Sequence, residues 1–132
     1  MEQSMITANL AAVAAHFHCE EQNDVEAAIE LYTDDIVWEA PARGLVFEGK
    51  EAVAENYRKI FSSIKDVVIL PLQRFATEDR VFDDCIMTYT LTTDDFLQFP
   101  SGQQIEMRLA HIFELHNGKI SKEIAYEMWK PV

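Results

Sequence analysis

A chain of 132 residues, 48% hydrophobic and 26% charged, is long enough to bury about two thirds of its unfolded surface in one core and too short for two comfortable domains. Its 23 acidic residues against 11 basic ones leave a net charge of −12, a sign that repels phosphate backbones and anionic headgroups. The expected partner is therefore a small molecule or a second copy of the chain, with no nucleic acid and no membrane.

Two isolated cysteines, Cys19 and Cys85, lack ligand-like spacing and read as small core thiols in a reducing compartment. No apolar run approaches the ~20 residues that span a bilayer. The apolar stretch LAAVAAHF follows an acidic start, which argues against a signal peptide and for the cytoplasm. No pair of His and carboxylate side chains has metal-ligand spacing on one element, so no metal is expected.

In chain order, Ile6, Leu10, Val13, Ala14 and Phe17 recur at spacings of three and four, which predicts a helix over 7–22 with His16 and His18 flanking its apolar stripe. Asn23 is then the expected cap of a second helix, with Glu26 in the capping-box position and Val25, Ala28, Ile29 and Tyr32 on its apolar face. IVWEA, Ile36 to Ala40, reads as a strand stopped by Pro41, with Ile36, Trp38 and Ala40 on one face and Val37 and Glu39 on the other. An irregular link containing Gly44 leads to a third helix from Lys50, which carries Val53, Tyr57, Ile60, Phe61 and Ile64 on one side.

The remainder reads as sheet. Pro71 places the strand over 67–78 at an edge or a bulge. The strand over 81–93 puts Cys85, Met87, Tyr89 and Leu91 on one face. A hairpin follows between Phe99 and Trp129, turning at His116-Asn117-Gly118-Lys119. Ile105, Met107, Leu109, Phe113 and Leu115 alternate along its first strand, and His111 interrupts the apolar set. An imidazole there is either a satisfied core residue or the working group of a pocket. Helices first and an antiparallel sheet after argue for an α+β domain, residues 1–132, with the helices on one face of a curved sheet.

Three local patterns carry a family resemblance: NDVEAAIELYTDDIVWEAP (23–41), FEGKEAVAENYRKIF (47–61) and SGQQIEMRLAHIFELHNGKI (101–120). The chain resembles the SnoaL-like proteins of the nuclear-transport-factor-two superfamily, whose cone-shaped fold also serves ketosteroid isomerase and limonene epoxide hydrolase. The resemblance implies a cone-shaped barrel, helices on the concave face of a mainly antiparallel sheet, a pocket between them and a homodimer. It fixes no activity, because the same cone hosts isomerases, hydrolases, dehydratases, cyclases and proteins without catalysis.

Carried over residue by residue, the isomerase's general-base aspartate falls on Ala40, and the neighbouring Glu39 faces the other side of a regular strand. The isomerase's tyrosine donor falls on His16, and its second, aspartic acid donor falls on or next to His111. The arginine and two aspartates of the epoxide hydrolases do not carry over intact: Arg108 is followed by Ala110 where an Asp is needed, and the last strand offers Met128, or Glu127 out of phase.

Alternation places Trp38, Tyr89, Leu109, His111 and Phe113 inward, with Tyr126 and Met128 from the last strand; His16, Phe17, Tyr57 and Phe61 come from the helices. Such a lining suits an apolar ligand such as a steroid, terpenoid or polyketide, or simply fills a core. Three readings follow. One is a cofactor-independent isomerase, dehydratase or cyclase with His111 as acid–base and His16 or Tyr57 as donor to an oxyanion. The others are a non-catalytic ligand binder and a self-association module with a filled cone.

Overall fold

The computed structural model describes residues 2–132 and bears out the α+β cone. Helix α1 (Glu2–Glu21) and the short α2 (Val25–Ile29) precede β1 (Tyr32–Ala40), a 3-10 turn (Pro41–Arg43) and β2 (Leu45–Glu48). Helix α3 (Lys50–Ser62) then leads to four long strands, β3 (Ile64–Ala76), β4 (Arg80–Leu91), β5 (Gln104–His116) and β6 (Lys119–Pro131). The six strands form one curved, open sheet in the order β2-β1-β6-β5-β4-β3. Every pairing is antiparallel except β1 with β6, which is parallel. Among the described residues no helix is long and apolar enough to cross a membrane.

Local chemistry explains most of the element ends. Asn23 does not cap α2; it takes a left-handed conformation (φ 54°) just beyond α1, where Asn is tolerated. The cap is Asp24, whose carboxylate accepts from the Ala27 amide at 3.2 Å. Pro71 lies on edge strand β3, beside a register shift between Pro71 and Gln73, which is where a residue without an amide hydrogen does least harm. Asn117 (φ 51°) and Gly118 (φ 78°) both adopt the positive φ that a two-residue hairpin turn requires. The supposed irregular link holds β2, a four-residue edge strand that pairs Phe47 with Trp38.

One irregularity decides which side chains face inward. The β5–β6 register runs from Leu115 opposite Ile120 to Glu114 opposite Lys122, so Ser121 is an extra residue on β6. Its hydroxyl donates to the Glu114 carbonyl at 3.1 Å. Counting by twos from Ile120 puts Tyr126 and Met128 inside; the bulge inverts that phase and turns Glu123, Ala125 and Glu127 inward instead. Tyr126 and Met128 lie on the outer sheet face, 44% and 66% exposed. The core between sheet and helices is built from Val13, Phe17, Trp38, Tyr57, Met87, Leu109 and Phe113, among others.

Candidate functional site

Two imidazoles and two carboxylates meet in this core, each from a different position of the fold. His16 and Glu20 are one helical turn apart on α1, so they share a face. Both are buried, along with Asn9, Val13 and Phe17, which makes His16 part of the stripe itself and not its flank. His111 points inward from β5, as alternation predicts, and Glu123 points inward from β6 because of the bulge.

The four groups are joined through two tyrosines. His16 Nε2 lies 3.2 Å from Glu20 Oε1 and 3.5 Å from Glu123 Oε1, so one ring nitrogen is held between two carboxylates. The Tyr57 hydroxyl donates to Glu20 and sits 2.9 Å from His16 Nε2. Tyr32 donates to Glu123 Oε1 at 2.8 Å, and the other oxygen, Oε2, is 3.2 Å from His111 Nε2. An ionised carboxylate this deep is tolerated only when paired and fully hydrogen-bonded, and Glu123 is both.

Titration follows the same geometry. Burial alone would push the Glu123 carboxyl up, but the His16 charge, the hydrogen bond and charge of His111, and the Tyr32 hydroxyl outweigh it and hold it below its ordinary value. Burial would lower the His16 imidazole; the charge of Glu123 and the hydrogen bond and charge of Glu20 reverse that and raise it. The Tyr32 phenol is driven far up, first by burial and then by Glu123. The fully buried His16 is thus favoured in its charged form by the two carboxylates that flank it.

His111 has a different task open to it. The ionised Glu123 oxygen can only accept, so His111 Nε2 carries hydrogen, and in the neutral form of the ring Nδ1 then bears the lone pair. Nδ1 has no hydrogen-bond partner among the described residues. The ring is tilted against Phe113 (centroids 5.0 Å apart) and edge-on to Phe17 (5.3 Å), which fixes its plane.

A cavity of about 50 Å³ adjoins this cluster, lined by Glu20, Trp38, Tyr57, Phe61, Tyr89, Leu109, His111 and Glu123. The sequence reading placed Trp38, Tyr57, Phe61, Tyr89, Leu109 and His111 here. Phe17, Phe113 and His16 stand behind that wall, buried without facing the space. Tyr126 is on the other face of the sheet. The volume holds a few water molecules, at about 10–15 Å³ each, and aromatic rings fill the rest of the cone. At its edge Arg43, from the 3-10 turn, reaches Glu127 through two hydrogen bonds of 3.0 and 3.1 Å.

Five residues of the site escaped the sequence reading: Glu20, Tyr32, Arg43, Glu123 and Glu127. Glu20 was within reach, because His16 and Glu20 have the spacing of facing helix residues. Tyr32 was assigned to α2 but begins β1. Nothing in the alternation announces Glu123 and Glu127 without the bulge.

The outer face shows where other charged side chains go. Arg108 binds Asp84 through bonds of 2.6 and 2.8 Å, on the side away from the cavity. Glu39, beside the position where an isomerase would carry its base, pairs with Lys122 at 3.4 Å on that same outer side. The inward position, Ala40, has no ionisable group.

Similar folds confirm the architecture. An LEH-like epoxide hydrolase from M. tuberculosis superposes with a TM-score of 0.76 at 15% identity, covering 93% of this chain and 84% of its own. The epoxide hydrolase/cyclase-like enzyme of pyran ring formation in the polyether salinomycin gives 0.76 at 22% identity, over 91% and 90%. A polyketide cyclase, so described with reservation, from Xanthomonas campestris pv. campestris gives 0.75 at 19%, over 92% and 91%. At these identities the likeness establishes the fold. No functionally curated protein matches the sequence. The sequence pattern of the SnoaL-like domain matches residues 13–123, and the chain belongs to that family.

Proposed function

We propose that the chain binds an apolar small molecule of steroid, terpenoid or polyketide type in the cone and performs cofactor-independent acid–base chemistry on it: an isomerisation, dehydration or cyclisation. The observation that carries this reading is the His111–Glu123 pair at the cavity wall. His111 Nδ1 removes a proton from the ligand; the imidazolium formed is stabilised by the Glu123 carboxylate already hydrogen-bonded to Nε2. Tyr57, which lines the cavity, supplies a hydroxyl for the developing negative charge by exchanging its hydrogen bond to Glu20 for one to the ligand. Cyclases and epoxide hydrolases on the same fold support the class of chemistry.

Since a free volume of about 50 Å³ is far below the several hundred Å³ of usual ligand sites, a ligand enters only by displacing side chains at the mouth. A binder that encloses its ligand without reaction would open in the same way, whereas the small volume by itself favours the reading of a self-association module with a filled cone. A thermal-shift screen of steroids, terpenoids and aromatic polyketides, with mass analysis of each hit, separates catalysis from binding. A raised melting temperature with a new product supports catalysis; recovery unchanged supports binding alone; no hit in any class removes both. His111→Ala should abolish turnover while the ligand still binds, and unchanged turnover would remove His111 from the mechanism.

The chain acts as a homodimer in this proposal, joined through the outer sheet face. Val68, Leu70, Phe75, Tyr126 and Met128 are 44–66% exposed there, an apolar patch of the kind that partners cover. The free thiols of Cys19 and Cys85 fit a cytoplasmic setting.

A further inference from the structure

We propose that the mouth of the cone is a cation site filled by the chain's own Arg43, and that the ligand it admits carries a basic amine or guanidinium on its apolar body. This rests on the small-molecule reading above and names the polar end of that molecule. The Arg43 guanidinium carbon lies 5.8 Å from the Trp38 ring centroid and 5.5 Å from that of Phe96. Glu127 closes a third side with its bidentate pair. The two side chains are only 17% and 8% exposed. An indole, a phenyl ring and a carboxylate arranged around one cation make the kind of cage that recognises ammonium and guanidinium groups.

Arg43 is also the wall between inside and outside. Arg43 and Phe96 line the interior cavity and two surface hollows of about 590 and 670 Å³. Arg43 ends the 3-10 turn, and Gly44 follows at φ 65°, so its side chain is carried by a short turn and not by a strand. Swinging it out joins cavity and hollows and leaves Glu127 buried without a partner. A neutral ligand leaves that carboxylate unpaired, which a buried charge resists. An anionic ligand meets Glu20, Glu123 and Glu127, against Arg43 as the one Lys or Arg lining the cavity. A ligand with a cationic head replaces every contact that Arg43 gives up.

Chemical rescue tests the cage without knowledge of the natural ligand. In Arg43→Ala, millimolar ethylguanidinium chloride should raise the melting temperature above an equal concentration of sodium chloride. It should do so neither in the wild type, whose cage is full, nor in Arg43→Ala/Glu127→Gln, whose cage has lost its charge. Arg43→Gln, which keeps most of the stem, replaces the alanine variant if that one does not fold. No rise over the salt control, or the same rise in the double variant, overturns the proposal. A second arm titrates the wild type calorimetrically with one naphthyl body bearing an ammonium, an alcohol or a carboxylate. The ammonium should bind about tenfold or more tighter than the alcohol, and the carboxylate weakest. Equal binding of ammonium and alcohol overturns the cation preference and leaves the small-molecule reading standing. Rescue by ethylguanidinium with no naphthyl compound bound supports the cage and counts against the apolar ligand.

Discussion

The two faces of the sheet each hold a carboxylate joined to cationic groups, and they behave as different materials. On the outer face Asp84 accepts from Arg108 and Gln73, and the carboxyl is pulled down to about 2 by those hydrogen bonds. Arg108 is half exposed although Asp84 itself is buried, so water and salt offer the arginine end of the pair nearly equivalent company. On the inner face Glu123 has comparable contacts and is only 1% exposed. There the hydrogen bonds of Tyr32 and His111 and the charge of His16 replace most of the solvation it has lost. The lesson is that distance alone does not rank ion pairs; what replaces the lost partner does.

Removing the inner carboxylate should therefore have the largest effect. Glu123→Ala strips a buried imidazolium of its counter-charge and is expected to cost about 3–5 kcal/mol, read as a lowered midpoint in urea unfolding. A variant as stable as the wild type would contradict the pairing. Tyr57→Phe comes next. It leaves Glu20 and His16 short of one hydroxyl and should cost about 1–3 kcal/mol in the same experiment. Arg108→Ala, the matching change outside, should lower the midpoint less than Glu123→Ala, because Arg108 is half exposed and Asp84 keeps Gln73, with a difference that shrinks in high salt.

Stability against pH sharpens the same contrast. His16 has a raised folded pKa, so its contribution is fully present below the ordinary histidine value of 6.5 and is lost as pH rises through the raised value. Glu123 has a lowered one; its contribution is present above 4.5 and is lost as pH falls through the depressed value. The inner cluster thus predicts a plateau between 4.5 and 6.5 and a decline on either side. Replacing His16 by Gln should flatten the alkaline limb. The outer apolar patch supplies the smallest expected change in fold stability: under the proposed homodimer, Met128→Lys should shift sedimentation toward the monomer and leave ligand binding intact.

How far the sequence leads also differs between the faces. Strand β5 pairs without a shift over Ile105 to Phe113, so period two alone places His111 inside. Strand β6 carries one extra residue, Ser121, and every assignment beyond it inverts: Tyr126 goes out, and Glu123 and Glu127 go in. A bulge is a backbone event that hydrophobic alternation registers poorly when the flanking residues, here Lys122 and Glu123, are both charged. Asn23 and Asp24 compete for one cap, and the choice turns on which of them takes the positive φ. His16 was legible as a helix residue, but its depth depends on packing against β6, which no local pattern encodes. The family resemblance conveyed the cone and left the acid–base groups of this chain to be found in its own geometry.

The central claim, that His111 offers a bare Nδ1 to the ligand while Nε2–H is held by Glu123, is open to one direct measurement. Long-range proton–nitrogen correlation spectra of the imidazoles, assigned by comparison with His111→Gln, report which ring nitrogen carries hydrogen in the neutral form. The account predicts hydrogen on Nε2 and an unprotonated Nδ1 whose signal moves when a cavity ligand is added. Hydrogen on Nδ1, or an Nδ1 signal indifferent to a bound ligand, would contradict it.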